Sequence, residues 1–294
     1  MLQAVHVLLS YSCTSSCDHC FLHCSPGAGR TFSQAGLKLL FGQMRDVAGL
    51  RAVSFEGGEP FLFHPLLRAG LELARDAGLE ADVVTNAYWA EHAEDAGLWL
   101  DPLVEAGLAG LAVSSDELHH APGSSLAANA MAAAENLGIP AYALSLELPR
   151  VKDGALADGG IMFRGRAAEE LTRGLPARPA QAFDACPWED LDRPSRVHVD
   201  ADGNVQVCQG VSIGNCLRSP LAEILAAYDP GEHPLCGPLL RGGPAQLMAE
   251  HGLEPNAAGY VDACHCCYAA RKALLGRLPR ECAPLQAYGM SAKE

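Results

Sequence analysis

The stretch Ala4-Val5-His6-Val7-Leu8-Leu9-Ser10-Tyr11-Ser12-Cys13-Thr14-Ser15-Ser16-Cys17-Asp18-His19-Cys20 decides how the chain is read. An apolar run of strand length, 4–9, leads directly into a loop whose cysteines are spaced C-x3-C-x2-C. Thiolates this close in sequence converge on one centre if the loop curls. Iron–sulfur clusters are held by Cys thiolates on short loops. Zinc also accepts closely spaced cysteine pairs, so spacing alone leaves the metal open. The ligand count is more telling. A structural zinc site or a complete four-thiolate cluster takes four ligands, and this loop offers three. A cluster with three protein ligands keeps one iron open to a substrate or cofactor. Cys24 continues the run, but as a fourth ligand it would close that iron. It is read as a spare thiol, a substrate-handling residue or a buried small hydrophobe.

Outward from the loop, the first two-thirds of the chain alternates strand and helix patterns. Strands are expected at 4–9, 52–55, 80–85, 110–114 and 141–147, with a sixth near 160–163. Between them lie helical periods at 33–47, 65–77, 90–106 and 124–137. Ser33 is the cap of the first, and Gly78, Gly107 and Gly138 stop the others. Such alternation means βαβ units around a parallel sheet, either an open doubly wound sheet or a barrel of fewer than eight units. Ligands of parallel β/α folds sit beyond the C-terminal strand ends. The polar motifs fall there: Glu56-Gly57-Gly58-Glu59-Pro60, Thr85-Asn86 and Ser114-Ser115-Asp116. Adjacent glycines let the backbone approach a ligand closely. A backbone carbonyl there and the Glu59 carboxylate can accept hydrogen bonds from an ammonium group. His119 and His120, being adjacent, point different ways and make no ready metal pair. Glu147 and Arg150 are weaker candidates at the fifth strand end.

The C-x3-C-x2-C loop after the first strand, followed by Gly57-Gly58-Glu59-Pro60 after the next, resembles the radical SAM enzymes. His19 stands where an aromatic residue often precedes the third cysteine. The resemblance implies a partial (β/α)6 TIM-like barrel of the α/β class. It implies a [4Fe–4S] cluster on Cys13, Cys17 and Cys20 whose open iron chelates S-adenosylmethionine (SAM). Gly57, Gly58, Glu59 and Pro60 then correspond to the motif that contacts the methionyl amine. Asn86 lies near the SAM site, with Ala87 where glycine is usual, and an ordinary turn-capping role fits it equally well. Ser114 and Asp116 are placed to reach the SAM ribose or the substrate, with Glu117 where glycine is common.

Bulk properties set limits. The chain has 294 residues, 49% of them hydrophobic, enough for one large domain or one large and one small. Its 35 acidic and 21 basic residues give a formal charge of −14, which argues against nucleic-acid or anionic-membrane surfaces. The N-terminus has no basic region of a signal peptide, and no stretch approaches a membrane span. The twelve cysteines are therefore read as intracellular, cytoplasmic metal ligands or thiols. None lies between Cys24 and Cys186.

That gap divides the chain into a barrel at 1–174 and a small Cys-rich α+β extension at 175–294. Residues 196–207 carry a hairpin signal with a turn at Asp202-Gly203, and short helices are expected at 220–228, 244–251 and 261–275. Cys208 ends the hairpin, and Cys264-His265-Cys266-Cys267 opens a helix whose dipole favours thiolates. This arrangement resembles the SPASM and Twitch extensions, which carry auxiliary [4Fe–4S] clusters. The cysteine tail is too short for a full SPASM domain, so a single auxiliary cluster fits better. Its best four ligands are Cys186, Cys208, Cys264 and Cys267. Cys266 is an alternative, Cys236 and Cys282 belong to a variant site, and a four-thiolate zinc ribbon is the competing reading.

The activity implied is reductive cleavage of SAM to a 5′-deoxyadenosyl radical that abstracts a substrate hydrogen. A ribosomally made peptide, crosslinked or otherwise oxidised, is the first substrate expected. A small-molecule dehydrogenase or mutase is the enzymatic alternative, and an electron-transfer protein the non-catalytic one. The partners implied are a flavodoxin- or ferredoxin-type electron donor and, because the first strand begins so early, a separate peptide-recognition protein.

Overall fold

The computed structural model describes residues 1–157 and 159–290. The last four residues of the expected extension lie outside them. Five parallel strands form in chain order: β1 (Ala4–Ser10), β2 (Ala52–Gly57), β3 (Glu80–Thr85), β4 (Leu108–Ser114) and β5 (Ala141–Leu144). The helices between them are α1 (Gln34–Met44), α2 (His64–Asp76), α3 (Ala93–Ala106) and α4 (Leu126–Asn136). Each helix turns an apolar stripe to the sheet; in α1 it is Leu37, Leu40, Phe41 and Met44. Ser33 caps α1 through its hydroxyl, which accepts from the Gly36 amide, and Gly107 ends α3 at φ +116°.

The strands sort their side chains by the two-residue period. Val5, Val7 and Leu9 of β1 face the helices and join the main core, whereas His6 and Leu8 face the lumen. Ser54 and Glu56 of β2 and Asp82 of β3 share that lumen face. The inner surface is therefore polar below the strand ends, while the outer surface is the packed core.

Two short antiparallel strands follow β5: β6 (Arg150–Lys152) and β7 (Ala155–Ala157). They take Arg150 out to an exposed hairpin, and Glu147 is exposed as well. Residues 160–163 form no strand, contrary to expectation. The Phe163 amide donates to Asp262 across the chain instead of to a neighbouring strand. The sixth parallel strand lies at the opposite end of the sheet, where β8 (Arg196–Asp200) pairs with β1, Val5 opposite Val197 and Val7 opposite Val199. The hairpin partner β9 (Asn204–Cys208) and then β10 (Val211–Asn215) follow antiparallel. The sheet order is β10-β9-β8-β1-β2-β3-β4-β5. A single parallel-dominated sheet thus runs across the expected boundary near 174. The remaining helices are α5 (Arg166–Glu170), α6 (Leu221–Ala227), α7 (Cys236–Glu250), kinked at Gly242–Gly243, and α8 (Ala263–Leu274). Among the described residues no helix is long and apolar enough to cross a membrane.

Candidate functional site: two thiolate centres

Cys13, Cys17 and Cys20 line one cavity of about 420 Å³ at the C-terminal strand ends. Gly57, Gly58, Asn86, Ser114 and Asp116 line the same cavity, so the structure brings these predicted residues together. Among the described residues no three cysteine sulfurs lie within 4.8 Å of one another. Cys17, His19 and His119 do each offer a ligand atom within 4.8 Å of the other two.

The loop is held from several sides. Its backbone meets the Gly57–Gly58 turn: the Gly58 amide donates to the Ser10 carbonyl and the Glu59 amide to the Ser12 carbonyl. A Cβ on Gly57 or Gly58 would drive into those carbonyls, and Gly57 sits at φ +129°. The two glycines therefore let β2 dock on the cysteine loop as well as line the cavity. Arg166 at the start of α5 donates to the carbonyls of Cys17 (2.6 Å) and Cys24 (2.8 Å). Nothing in the sequence flagged it. Gly165 is needed beside it, because a Cβ there would strike the Phe21 backbone.

Glu59 and Pro60 do not line the cavity. Glu59 is fully buried, and its carboxylate accepts from the Phe61 amide, the Thr85 hydroxyl and the Asn86 amide. It ties the end of β2 to the end of β3, and burial pushes its pKa up to about 7 against those hydrogen bonds. Its reach to the cavity runs through Asn86, whose side-chain amide donates to Thr14 and lies 3.6 Å from the Cys13 sulfur. Asp116 accepts from the Leu118, His119 and Leu146 amides and pairs with His119. Burial works against its charge, but His119 and the Leu146 amide hold it down to about 2. His119 in turn meets His19 at 3.1 Å, so the unusual residue before Cys20 packs on the strand-4 loop. His120 turns away to the Ser114 carbonyl.

Cys24 finds its place beside Cys20. Its amide donates to the Cys20 sulfur at 3.3 Å. Its thiol hydrogen-bonds there too and is the largest influence lowering Cys20 to about 6. Burial instead raises Cys17 to about 11.

The second centre lies near the N-terminus of α8. Cys186, Cys208, Cys264 and Cys267 line one small cavity of about 20 Å³. Cys266 and Cys282 point elsewhere. The Cys266 sulfur lies 4.0 Å from the Met248 sulfur, and Cys282 bonds the Arg271 carbonyl. Two arginines reach the cavity, neither visible in the sequence pattern. Arg164 is buried, with Nη1 2.9 Å from the Cys208 sulfur and 3.4 Å from Glu189. Arg271 is buried and bonds the Gln209 carbonyl and the Tyr288 hydroxyl, with no carboxylate partner among the described residues. The Nε of each is buried without an acceptor. A buried guanidinium without a carboxylate, as Arg271 is, is costly, so the cavity is electrostatically suited to an anionic group. Between the centres, Arg164 stacks over Phe21 of the first loop at 5.2 Å.

No family model matches the chain. A curated relative, "Putative peptide biosynthesis protein YydG" of Bacillus subtilis (strain 168), is 24% identical over 120 residues. That match spans 41% of this chain and 37% of the relative's length. The crystal structure of BtrN in complex with AdoMet and 2-DOIA superposes with a TM-score of 0.50 at 17% identity, covering 78% of this chain and 83% of that one. Streptococcus suis SuiB bound to precursor peptide SuiA gives 0.47 at 11% identity, covering 90% and 76%. The three-cysteine loop and the Gly-Gly-Glu-Pro turn thus meet at one end of a sheet whose fold is similar to that of BtrN.

Proposed function

We propose that the chain modifies a peptide by radical SAM chemistry, with residues 1–174 carrying the SAM-cleaving cluster and 175–294 an auxiliary one. The observation that carries this reading is the single cavity shared by Cys13, Cys17, Cys20, Gly57 and Gly58. Cys13, Cys17 and Cys20 would hold a [4Fe–4S] cluster with one iron open. Bound there, such a cluster would supply one-electron reductive chemistry toward SAM, and the residues of this chain would hold and shield it.

The residues around it bind, orient and shield. Arg166 fixes the loop by its carbonyls, and the Cys24 amide and thiol donate to the Cys20 sulfur. Such donors stabilise negative charge on a ligand. Gly57 and Gly58 offer backbone to the methionyl end of SAM, with Glu59 and Pro60 as the buried brace behind them. Asn86, Ser114 and the ionised Asp116 offer polar contacts on the opposite wall. Cys186, Cys208, Cys264 and Cys267 would hold the second cluster, whose negative charge matches Arg164 and Arg271. An electron acceptor there suits a net oxidation, such as a crosslink.

A peptide substrate is supported by the name of YydG and by the open rim at β5. Tyr142, Leu144, Leu148 and Val151 are exposed at that rim, and Leu144 and Leu146 reach into the cavity wall. A flavodoxin- or ferredoxin-type donor supplies the electron, and a separate peptide-recognition protein presents the substrate. Twelve cysteines serving as metal ligands and thiols suit a reducing compartment such as the cytoplasm.

The test is anaerobic. The reconstituted, dithionite-reduced chain is expected to release 5′-deoxyadenosine from SAM and to carry about eight irons. Absence of that product, with or without candidate peptides, overturns the enzymatic reading. About four irons with zinc overturns the second cluster, and turnover of small molecules alone overturns the peptide.

A further inference from the structure

Below the strand ends, on the lumen face, His6 of β1, Glu56 of β2 and His198 of β8 converge. One ligand atom from each lies within 4.8 Å of the other two. The His198 Nδ1 is 2.9 Å from Glu56 Oε1, and the His6 Nδ1 is 3.3 Å from Glu56 Oε2. These are the spacings that nitrogen and oxygen ligands take around one ion. Bonds of about 2.1 Å meeting at 90–109° set ligand atoms about 3.0–3.4 Å apart. The strand register explains the convergence. His6 and His198 are paired across the β1–β8 ladder, and Glu56 is the partner of Leu8, one inward position further along.

We propose that His6, Glu56 and His198 form a divalent transition-metal site inside the barrel, separate from both thiolate centres. Two imidazoles and a carboxylate suit zinc, iron(II) or manganese better than calcium or magnesium. Three further observations favour an ion over a simple hydrogen-bonded cluster. The His6 Nδ1 is buried without a hydrogen-bond partner in good geometry. Gln209 lies against the other ring nitrogen of His198, at 3.3 Å, and its Oε1 is buried without a partner. Turning that amide over lets Oε1 accept from His198 Nε2–H, which leaves Nδ1 as a lone pair facing Glu56. A metal-bound histidine is ordinarily oriented by such an acceptor on its second nitrogen. Finally, Asp82 Oδ1 on the neighbouring strand is buried and unpartnered, and a cation in the triad offsets its charge.

Three protein ligands leave a position open. Glu56 also lines the 420 Å³ cavity, so that position is accessible from the substrate side to water or an oxygen donor. The probe is zinc, added to the cluster-reconstituted full chain and followed by dialysis. The wild type is expected to retain about one zinc that shows only nitrogen and oxygen neighbours near 2.0–2.1 Å in X-ray absorption. The double substitution His6→Ala/His198→Ala is expected to lose that zinc and keep its iron. Should the double variant fail to fold, Glu56→Gln keeps the shape and is expected to weaken zinc binding by tenfold or more. Zinc bound only through sulfur, no retained zinc in the wild type, or equal N/O-bound zinc in wild type and variants overturns the proposal.

Discussion

The two thiolate centres solve opposite problems with the same side chain. The loop at Cys13–Cys20 presents three sulfurs to a cavity of about 420 Å³, and the centre at Cys186, Cys208, Cys264 and Cys267 presents four to about 20 Å³. The first is held through its backbone, by the Gly57–Gly58 turn and the Arg166 clamp on two carbonyls. The second is packed around two buried guanidinium groups that point at sulfur. In the proposed reading the first site keeps a fourth position free, which asks that its shape be enforced from outside. A closed site can be held from within by charge.

The sharpest way to break this contrast is to remove one ligand from each side. Cys13→Ala is expected to abolish 5′-deoxyadenosine release and to lower iron by about four per chain, while Cys208→Ala loses a similar amount of iron but keeps SAM cleavage. Equal loss of SAM cleavage in both variants would merge the two roles. Next in size is Arg271→Leu. With the anionic centre loaded, losing the guanidinium removes its compensating charge, and the melting temperature is expected to fall by roughly 5–10 °C. Without metal the same change relieves an unpaired buried cation, so the fall is expected to shrink or reverse. Calorimetry on loaded and stripped chains checks the sign.

Arg166→Ala tests the outer clamp. Two charge-assisted bonds to carbonyls are worth roughly 1.5–3 kcal/mol each. Iron loss to a chelator from the first centre is expected to quicken, with the second centre unchanged. The smallest effect concerns Glu59. Its folded pKa is raised from 4.5 to about 7 by burial, so folded Glu59 holds its proton more tightly than the unfolded chain does. Its contribution to stability is full below pH 4.5 and declines as pH rises through about 7. Between pH 5 and 8 the wild type is expected to lose about 2–4 °C of melting temperature relative to Glu59→Gln, read from paired melts.

Much of this was legible because it is local. The C-x3-C-x2-C loop, the Gly-Gly-Glu-Pro turn and the hairpin around Asp202-Gly203 each state their geometry within a dozen residues. The Ser33 cap and the Gly107 stop are of the same kind. What stayed hidden depends on partners far apart in sequence. Arg166 meets Cys17 across 149 positions and Arg271 meets Gln209 across 62. A buried arginine looks like a surface one until its surroundings are known. Strand pairing failed for the same reason. Residues 160–163 have a strand's composition, but Phe163 is claimed by Asp262, and β1 takes its sixth parallel neighbour from β8. Glu59 reads as a ligand-facing acid in the motif, yet three internal donors turn it inward.

The pairing of β8 with β1 also bears on how the chain can be cut. A seven-residue strand, mostly buried, depends on the C-terminal half for one of its two ladders. A fragment ending near residue 174 would leave β1 with a bare row of amides and carbonyls beside Val5, Val7 and Leu9. Such an edge recruits strands from other molecules. Cutting this protein near residue 174 is therefore a recipe for self-association.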